Sequence, residues 1–251
     1  MLVMGILNVT PDSFADGGKH NDFHSAVKRG LEMIAEGVDI IDIGGESTRP
    51  GADRVSEAEE INRTIPVITE LVKHGAKISI DTMRASTAEA AIRAGASIIN
   101  DVSGGLADLN MLVTAAQLKV PYIAMHWRGH SKEMNSKAIY SDVVKEVIAE
   151  LQDRIDMALT AGVEKANLII DPGLGFAKDA DHNWAIIDAI DQFVALGYPV
   201  LVGASRKRFL GGDSPDQREQ ATIDLTKRLA STGVWAVRVH SVKPHKEVIS
   251  V

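Results

Sequence analysis

One unit recurs along this chain: a helical segment, a glycine, a short apolar run, then a polar residue. Gly37 precedes Ile40-Ile41-Asp42-Ile43, Gly75 precedes Ile78-Ser79-Ile80-Asp81, and Gly95 precedes Ile98-Ile99-Asn100-Asp101. Gly162 precedes Leu168-Ile169-Ile170-Asp171, Gly197 precedes Val200-Leu201-Val202, and Gly233 precedes Val237-Arg238-Val239-His240. Helices commonly end on a left-handed residue, and glycine suits it because it has no β-carbon to clash. Val3–Leu7 and Tyr122–Met125 complete a set of eight strand candidates. Most lack clean in-out alternation, as expected of parallel strands covered on both faces. Eight β-then-α units in 251 residues predict a single-domain (β/α)8 TIM barrel. The competing architecture is a doubly wound open sheet. It more often carries a Gly-rich fingerprint after its first strand, and Asn8-Val9-Thr10-Pro11 is not one.

No low-complexity segment or Pro/Ser-rich linker divides the sequence, so residues 1–251 read as one domain. Helix starts are marked as well. Ser56 with Glu59, and Ser86 with Glu89, have capping-box spacing. Val143, Val147, Leu151, Ile155 and Leu159 recur at intervals of four, the stripe of an amphipathic helix.

Composition limits the partners. A hydrophobic content of 45% is ordinary for a globular core. The net charge of −7 gives the surface as a whole no attraction for nucleic acid or anionic lipid, though it leaves room for a local cationic pocket. The absence of cysteine excludes disulfides and thiolate metal sites. No apolar run approaches the ~18 residues that a membrane span needs. The N-terminus also lacks the basic-then-apolar pattern of a signal peptide. The expectation is a cytoplasmic protein with no membrane partner.

Barrel active sites sit at the carboxyl ends of the strands. Here those ends carry Asn8, Glu46, Asp81, Asn100, His126, Asp171, Lys207, Arg238 and His240. Asp42, Glu46, Asp101 and His126 read at least as well as ordinary loop starts. Asp81, Asn100 and Asp171 each directly follow an apolar strand residue, and a buried carboxylate needs a partner. The trio suggests either a ligand rich in N–H donors or a structural network. Arg49, Lys207, Arg238 and His240 come from three strand ends and together would make an anion site, since guanidinium groups bind phosphate oxygens in pairs. The alternative is a set of solvated loop charges, which suits Arg128, Lys132 and Arg206. It is weaker for Arg238, which sits inside a strand with His240 on the same face by period two. Gly203-Ala204-Ser205-Arg206-Lys207 lacks the closing glycine of a nucleophile elbow. Gly44-Gly45 and Gly104-Gly105 lack a P-loop ending, and the histidines lack a zinc spacing.

Asn8-Val9-Thr10-Pro11-Asp12-Ser13-Phe14-Ala15-Asp16-Gly17 closely resembles the first signature of the dihydropteroate synthases. Asp42-Ile43-Gly44-Gly45-Glu46-Ser47-Thr48-Arg49-Pro50-Gly51, Ser79-Ile80-Asp81-Thr82 and Asn100-Asp101-Val102-Ser103-Gly104-Gly105 match further motifs of that family. So do Met125-His126, Asp171-Pro172-Gly173-Leu174-Gly175-Phe176, Ser205-Arg206-Lys207 and Arg238-Val239-His240. Eight motifs in order, one per strand end, cover almost the whole chain and look most like actinobacterial members.

The resemblance implies a transferase that condenses 6-hydroxymethyl-7,8-dihydropterin diphosphate with p-aminobenzoate, with Mg2+ as cofactor and a homodimer as the assembly. By position, Asp81, Asn100, Asp171 and Lys207 would hold the pterin. Arg49, Arg238 and His240 would take the diphosphate, and Asn8 would face Mg2+. Phe14, Thr48, Arg49, Pro50, Phe176 and Arg208 would shape the p-aminobenzoate pocket. Asp16 joins Asn8, Arg49, Lys207, Arg238 and His240 in the implied catalytic set. The loops Val9–Lys19 and Gly45–Arg54 would close over the site, although ordinary packing would also explain Phe14 and Phe176.

Departures from the family pattern are local. Arg208 stands where many members have the serine that helps bind the p-aminobenzoate carboxylate; it could pair with that carboxylate or point to solvent. Ser241 stands where aspartate is common, the segment Gly211–Gln217 is short, and the family's N-terminal hairpin does not precede the first strand. The alternatives to a working synthase are a pterin-binding methyltransferase domain and a non-catalytic paralogue. The first would lack the Ser-Arg-Lys and Arg-x-His sets. The second would have lost a loop residue or the anion pair.

Overall fold

The computed structural model describes residues 1–10, 18–46, 54–130 and 133–250. Its strands are β1 (Leu2–Asn8), β2 (Ile40–Gly44), β3 (Ile78–Asp81), β4 (Ile98–Asp101), β5 (Tyr122–Met125), β6 (Leu168–Asp171), β7 (Leu201–Val202) and β8 (Ala236–Val239). All pairings are parallel and run β6-β5-β4-β3-β2-β1-β8-β7. A single bridge between Ile170 and Val200 joins β6 to β7 and nearly closes the barrel. The predicted (β/α)8 architecture is therefore the observed one. The predicted strands also match the observed ones, to within a residue or two at each end.

Between and after the strands run α1 (Gly18–Ala35), α2 (Glu57–Lys73), α3 (Ala85–Arg93), α4 (Met111–Leu118) and α5 (Val143–Thr160). They are followed by α6 (Ala180–Asp188), α7 (Ile190–Val194), α8 (Glu219–Leu229) and α9 (Lys243–Ile249). The six glycines of the repeat all have φ between 78° and 111°, the region that a β-carbon disfavours.

Two apolar layers result from the period-two alternation of each strand. One face, with Ile41, Ile43, Ile80, Ile99 and Ile170, packs under the helices. The other fills the barrel with Met4, Ile40, Ile98, Ile123, Ile169, Leu201 and Ala236. That inner layer is the floor of the barrel. The next inward position on β2, β4, β6 and β8 is Asp42, Asn100, Asp171 and Arg238, so polar groups begin one step above an apolar floor.

Two helix expectations need correction. Ser56 caps α2, accepting from the Glu59 N–H at 3.2 Å. Ser86, however, lies inside α3, whose cap is Arg84 and whose first N–H, on Ala85, donates to Asp108 at 2.8 Å. Asp108 satisfies an end that no local side chain reaches. On α5 the buried stripe is Val143, Val147, Leu151, Ile155 and Ala158, while Leu159 is exposed. Steps of four overshoot the helical turn of 3.6 residues by about 40° each, so the fifth member of a strict four-residue series has rotated off the core face.

Candidate active site

Above the floor, at the carboxyl ends of the strands, lies a cavity of about 750 Å³. Asn8, Asp81, Phe176, Lys207, Arg208, Arg238 and His240 line it, together with Lys178, Ser205 and Arg218. Asp81 of the first set and Lys207, Arg238 and His240 of the second therefore line one cavity. Asn100 and Asp171 are buried and are not among its lining residues. Phe14, Asp16, Thr48, Arg49 and Pro50 lie outside the described residues.

Arg238 joins the two sets. Its Nε donates to Asp42 at 2.6 Å and one amino nitrogen donates to Asp81 at 2.7 Å. Asn100 donates its amide to the same Asp42 oxygen at 3.0 Å. Asp42, whose sequence position suits an ordinary loop start at least as well as a functional role, is fully buried inside β2 and centres this network. The signal was its position within the apolar run Ile40-Ile41-Asp42-Ile43, in phase with the inward Ile40. Burial pushes the Asp81 carboxyl up, to about 7, against the pull of the Arg238 guanidinium; the Asp42 carboxylate alongside adds to the rise. Once ionised, the group can accept N–H donors from a ligand.

Asp171, at the end of β6, accepts from the Gly173 N–H at 2.7 Å. Burial raises its pKa, opposed by that hydrogen bond and by Lys207 and Arg238. Lys207 donates to the Leu174 carbonyl and holds its ammonium 4.5 Å from the centre of the Phe176 ring, a cation–π distance. Burial lowers its pKa to about 8, with Asp171 holding it up.

His240 shares a hydrogen bond with Ser205 through Nδ1 at 2.9 Å, and its backbone N–H donates to the same Ser205 hydroxyl oxygen at 3.2 Å. Both contacts tie the loop after β7 to the end of β8. Arg208 is exposed at the rim of the cavity.

Asp101 does have a structural role: it accepts from Ser103, Gly105 and the Tyr122 hydroxyl. Glu46 is structural too, accepting from Arg54, Arg84 and the Val55 N–H. Arg128 and Arg206 are not free loop charges. Arg128 pairs with Glu146 and Glu150 and lies 3.8 Å from the Tyr140 ring centre, and Arg206 pairs with Glu219 at 2.6 Å. His126 is buried between Glu150 and Lys178. Lys178 was missed altogether, because nothing in the sequence around it distinguishes a buried lysine from a surface one.

A (β/α)8 barrel with acidic, amide and cationic side chains meeting over its mouth defines a class, and the chain belongs to the pterin-binding enzyme family, whose model matches residues 4–240. Within that family it falls among the dihydropteroate synthases. It is 49% identical to the dihydropteroate synthase of Mycobacterium leprae over 99% of this chain and 91% of that protein. It superimposes with a TM-score of 0.93 on a Xanthomonas albilineans dihydropteroate synthase bound to 4-aminobenzoic acid, at 42% identity, covering 99% of this chain and 90% of that one. A second structure from X. albilineans, a complex with 7,8-dihydropteroate, gives 0.90 at 39% identity, over 99% and 91% of the two chains.

Proposed function

We propose that this chain condenses 6-hydroxymethyl-7,8-dihydropterin diphosphate with p-aminobenzoate to give 7,8-dihydropteroate and diphosphate. The observation that carries the reading is the single cavity that Asp81 lines together with Lys207, Phe176, Arg238 and His240. It joins acceptors for a pterin's amino and ring N–H groups to donors for an anion. A pterin-binding methyltransferase domain would not need the cationic half.

In this reading Asp81, Asn100 and Asp171 fix the pterin ring and Lys207 bounds it. Arg238 and His240 face the diphosphate. Breaking the C–O bond sends its electron pair to the diphosphate, whose developing charge these two side chains stabilise. The arylamine nitrogen then forms the new bond to the pterin methylene carbon and loses one proton. Phe176 walls the p-aminobenzoate pocket, and Arg208 at the rim pairs with the arylamine's carboxylate.

Among the described residues no cluster of three His, Asp or Glu side chains could hold a metal by itself. Asn8 lines the cavity as an uncharged oxygen donor. That donor set fits Mg2+, which usually keeps waters and substrate phosphate oxygens as most of its ligands. When bound, Mg2+ would neutralise charge on the departing diphosphate. No helix among the described residues is long and apolar enough to cross a membrane. We place the enzyme in the cytoplasm as a homodimer, on its likeness to the family.

Purified protein given both substrates and Mg2+ should form dihydropteroate, with sulfonamides competing against p-aminobenzoate. No product with either substrate order or metal would sink the assignment. The weak nucleophilicity of an aniline favours departure of diphosphate before attack. Oxygen-isotope scrambling within the substrate's diphosphate, without p-aminobenzoate, is then expected; strict dependence of C–O cleavage on p-aminobenzoate would reject that order of events.

A further inference from the structure

Between β6 and α6 the chain makes a turn that borders the cavity with Gly175, Phe176 and Lys178. The turn is constrained backbone: Gly173, Gly175 and Ala177 all have positive φ, and for Ala177, at 48°, that conformation costs energy. Side chains from elsewhere hold it. Lys178 Nζ donates to the carbonyls of Gly173 and Phe176, both at 3.1 Å. The Tyr140 hydroxyl donates to the Ala177 carbonyl at 3.0 Å, and Asn183 accepts from the Gly175 N–H at 2.6 Å.

Lys178 is the centre of this arrangement. Its third contact is His126 Nδ1 at 2.8 Å, and His126 Nε2 meets Glu150 at 2.9 Å. An ammonium has three donors and no acceptor, and here it finds three acceptors. Its partner nitrogen on His126 must then be the unprotonated one, which leaves Nε2–H to donate to the Glu150 carboxylate. A neutral His126 and an ionised Glu150 fit this pattern. Burial, reinforced by the Lys178 charge, lowers His126 to about 4 and keeps it neutral. Burial opposes ionisation of Glu150, but hydrogen bonds from His126 and Arg128 bring it down to about 2. Burial lowers Lys178 as well, to about 7, with Asp171 opposing.

We propose that Lys178 is a positioning residue for the arylamine substrate: held by His126 and Glu150, its ammonium pins the carbonyls at both ends of the Gly173–Phe176 turn and so sets the Phe176 wall of the cavity. This rests on the reading above that Phe176 borders the p-aminobenzoate pocket. Lys178 touches no reacting group; it acts through Phe176. Its removal therefore weakens the arylamine more than the pterin, which Asp81 and Asn100 hold from other strands, whereas a general loss of stability would weaken both alike.

The test compares wild type, Phe176→Ala and Lys178→Met by steady-state kinetics and by calorimetric binding of the pterin diphosphate with Mg2+. Lys178→Met should raise KM for p-aminobenzoate by about tenfold, as expected when a positioned wall moves, and leave the pterin diphosphate Kd within about twofold. Adding Phe176→Ala to Lys178→Met should raise KM no further than Phe176→Ala alone. A normal KM in Lys178→Met beside a raised one in Phe176→Ala overturns the proposal, as does equal weakening of both substrates. A normal KM in Phe176→Ala removes the underlying reading of Phe176, and the proposal with it. If Lys178→Met does not fold, His126→Asn and His126→Leu read the same link. Asn keeps an acceptor near the Nδ1 position and should restore a KM that Leu raises; equal values for the two reject the link.

Discussion

Arg238 shows how one residue can belong to two chemical sets. From its strand position it reads as an anion ligand, and it does line the cavity beside His240. Two of its nitrogens are nonetheless committed to Asp42 and Asp81. A buried guanidinium needs such partners, and they in turn hold it in one orientation. Asp81 consequently sits where its charge is suppressed by burial yet accessible to a ligand. Pterin N–H donors require the ionised carboxylate, so binding should release a proton from Asp81 whenever the pH lies below its raised pKa. Pterin affinity should then rise with pH towards about 7 and level off above it. Calorimetry in buffers of different ionisation enthalpy measures the proton directly. A pH-independent affinity with no proton release, in wild type as in Asp81→Asn, would show that Asp81 is not the acceptor.

At the scale of elements, patterns local to a strand or helix survive folding, and patterns that rely on a distant partner do not announce themselves. The strands were legible because most are short apolar runs ended by a polar residue, and six of the eight follow a glycine. Ser56 capped its helix as its spacing suggests, but the start of α3 was misplaced because its N-terminal donor is met by Asp108, 23 residues away. The α5 stripe held for four residues and then drifted. Leu151→Ala should cost about 2–5 kcal/mol, since it leaves a cavity in a packed face. Leu159→Ala should cost no more than about 0.5 kcal/mol, since Leu159 faces outward. Urea unfolding of the two variants reads the difference, and equal losses would contradict the drift.

For the whole molecule, closure is uneven. β2 pairs with β3 over four register positions, whereas β6 meets β7 through one bridge and β7 has only two residues. Fewer ladder bonds mean less cooperative protection, so the β6–β7 seam should open first. The amide of Ile170, bonded to Pro199, should exchange with deuterium faster than that of Ile41, bonded to Lys77. Equal protection at both seams would mean that the barrel opens only as a unit. The seam lies directly below the turn that Lys178 pins.

The sequence by itself determined the repeat, the barrel and the strand ends that carry function, because these follow from short apolar runs, the helical period of 3.6 and glycine's lack of a β-carbon. It also carried the family motifs, of which Asn8, Asp81, Phe176, Lys207, Arg238 and His240 line one cavity. Only the tertiary structure decided what each polar side chain does once water is excluded. Asp42, equally readable as a loop start, became the anchor of Arg238 and Asn100, while Asp101 remained a turn brace. Lys178, invisible in the string of letters, became a buried cation with three acceptors. The physical reason is the same in each case. A buried charge takes its meaning from partners brought beside it by other strands, and hydrogen-bond partnership across a barrel leaves no periodic mark in any one of them.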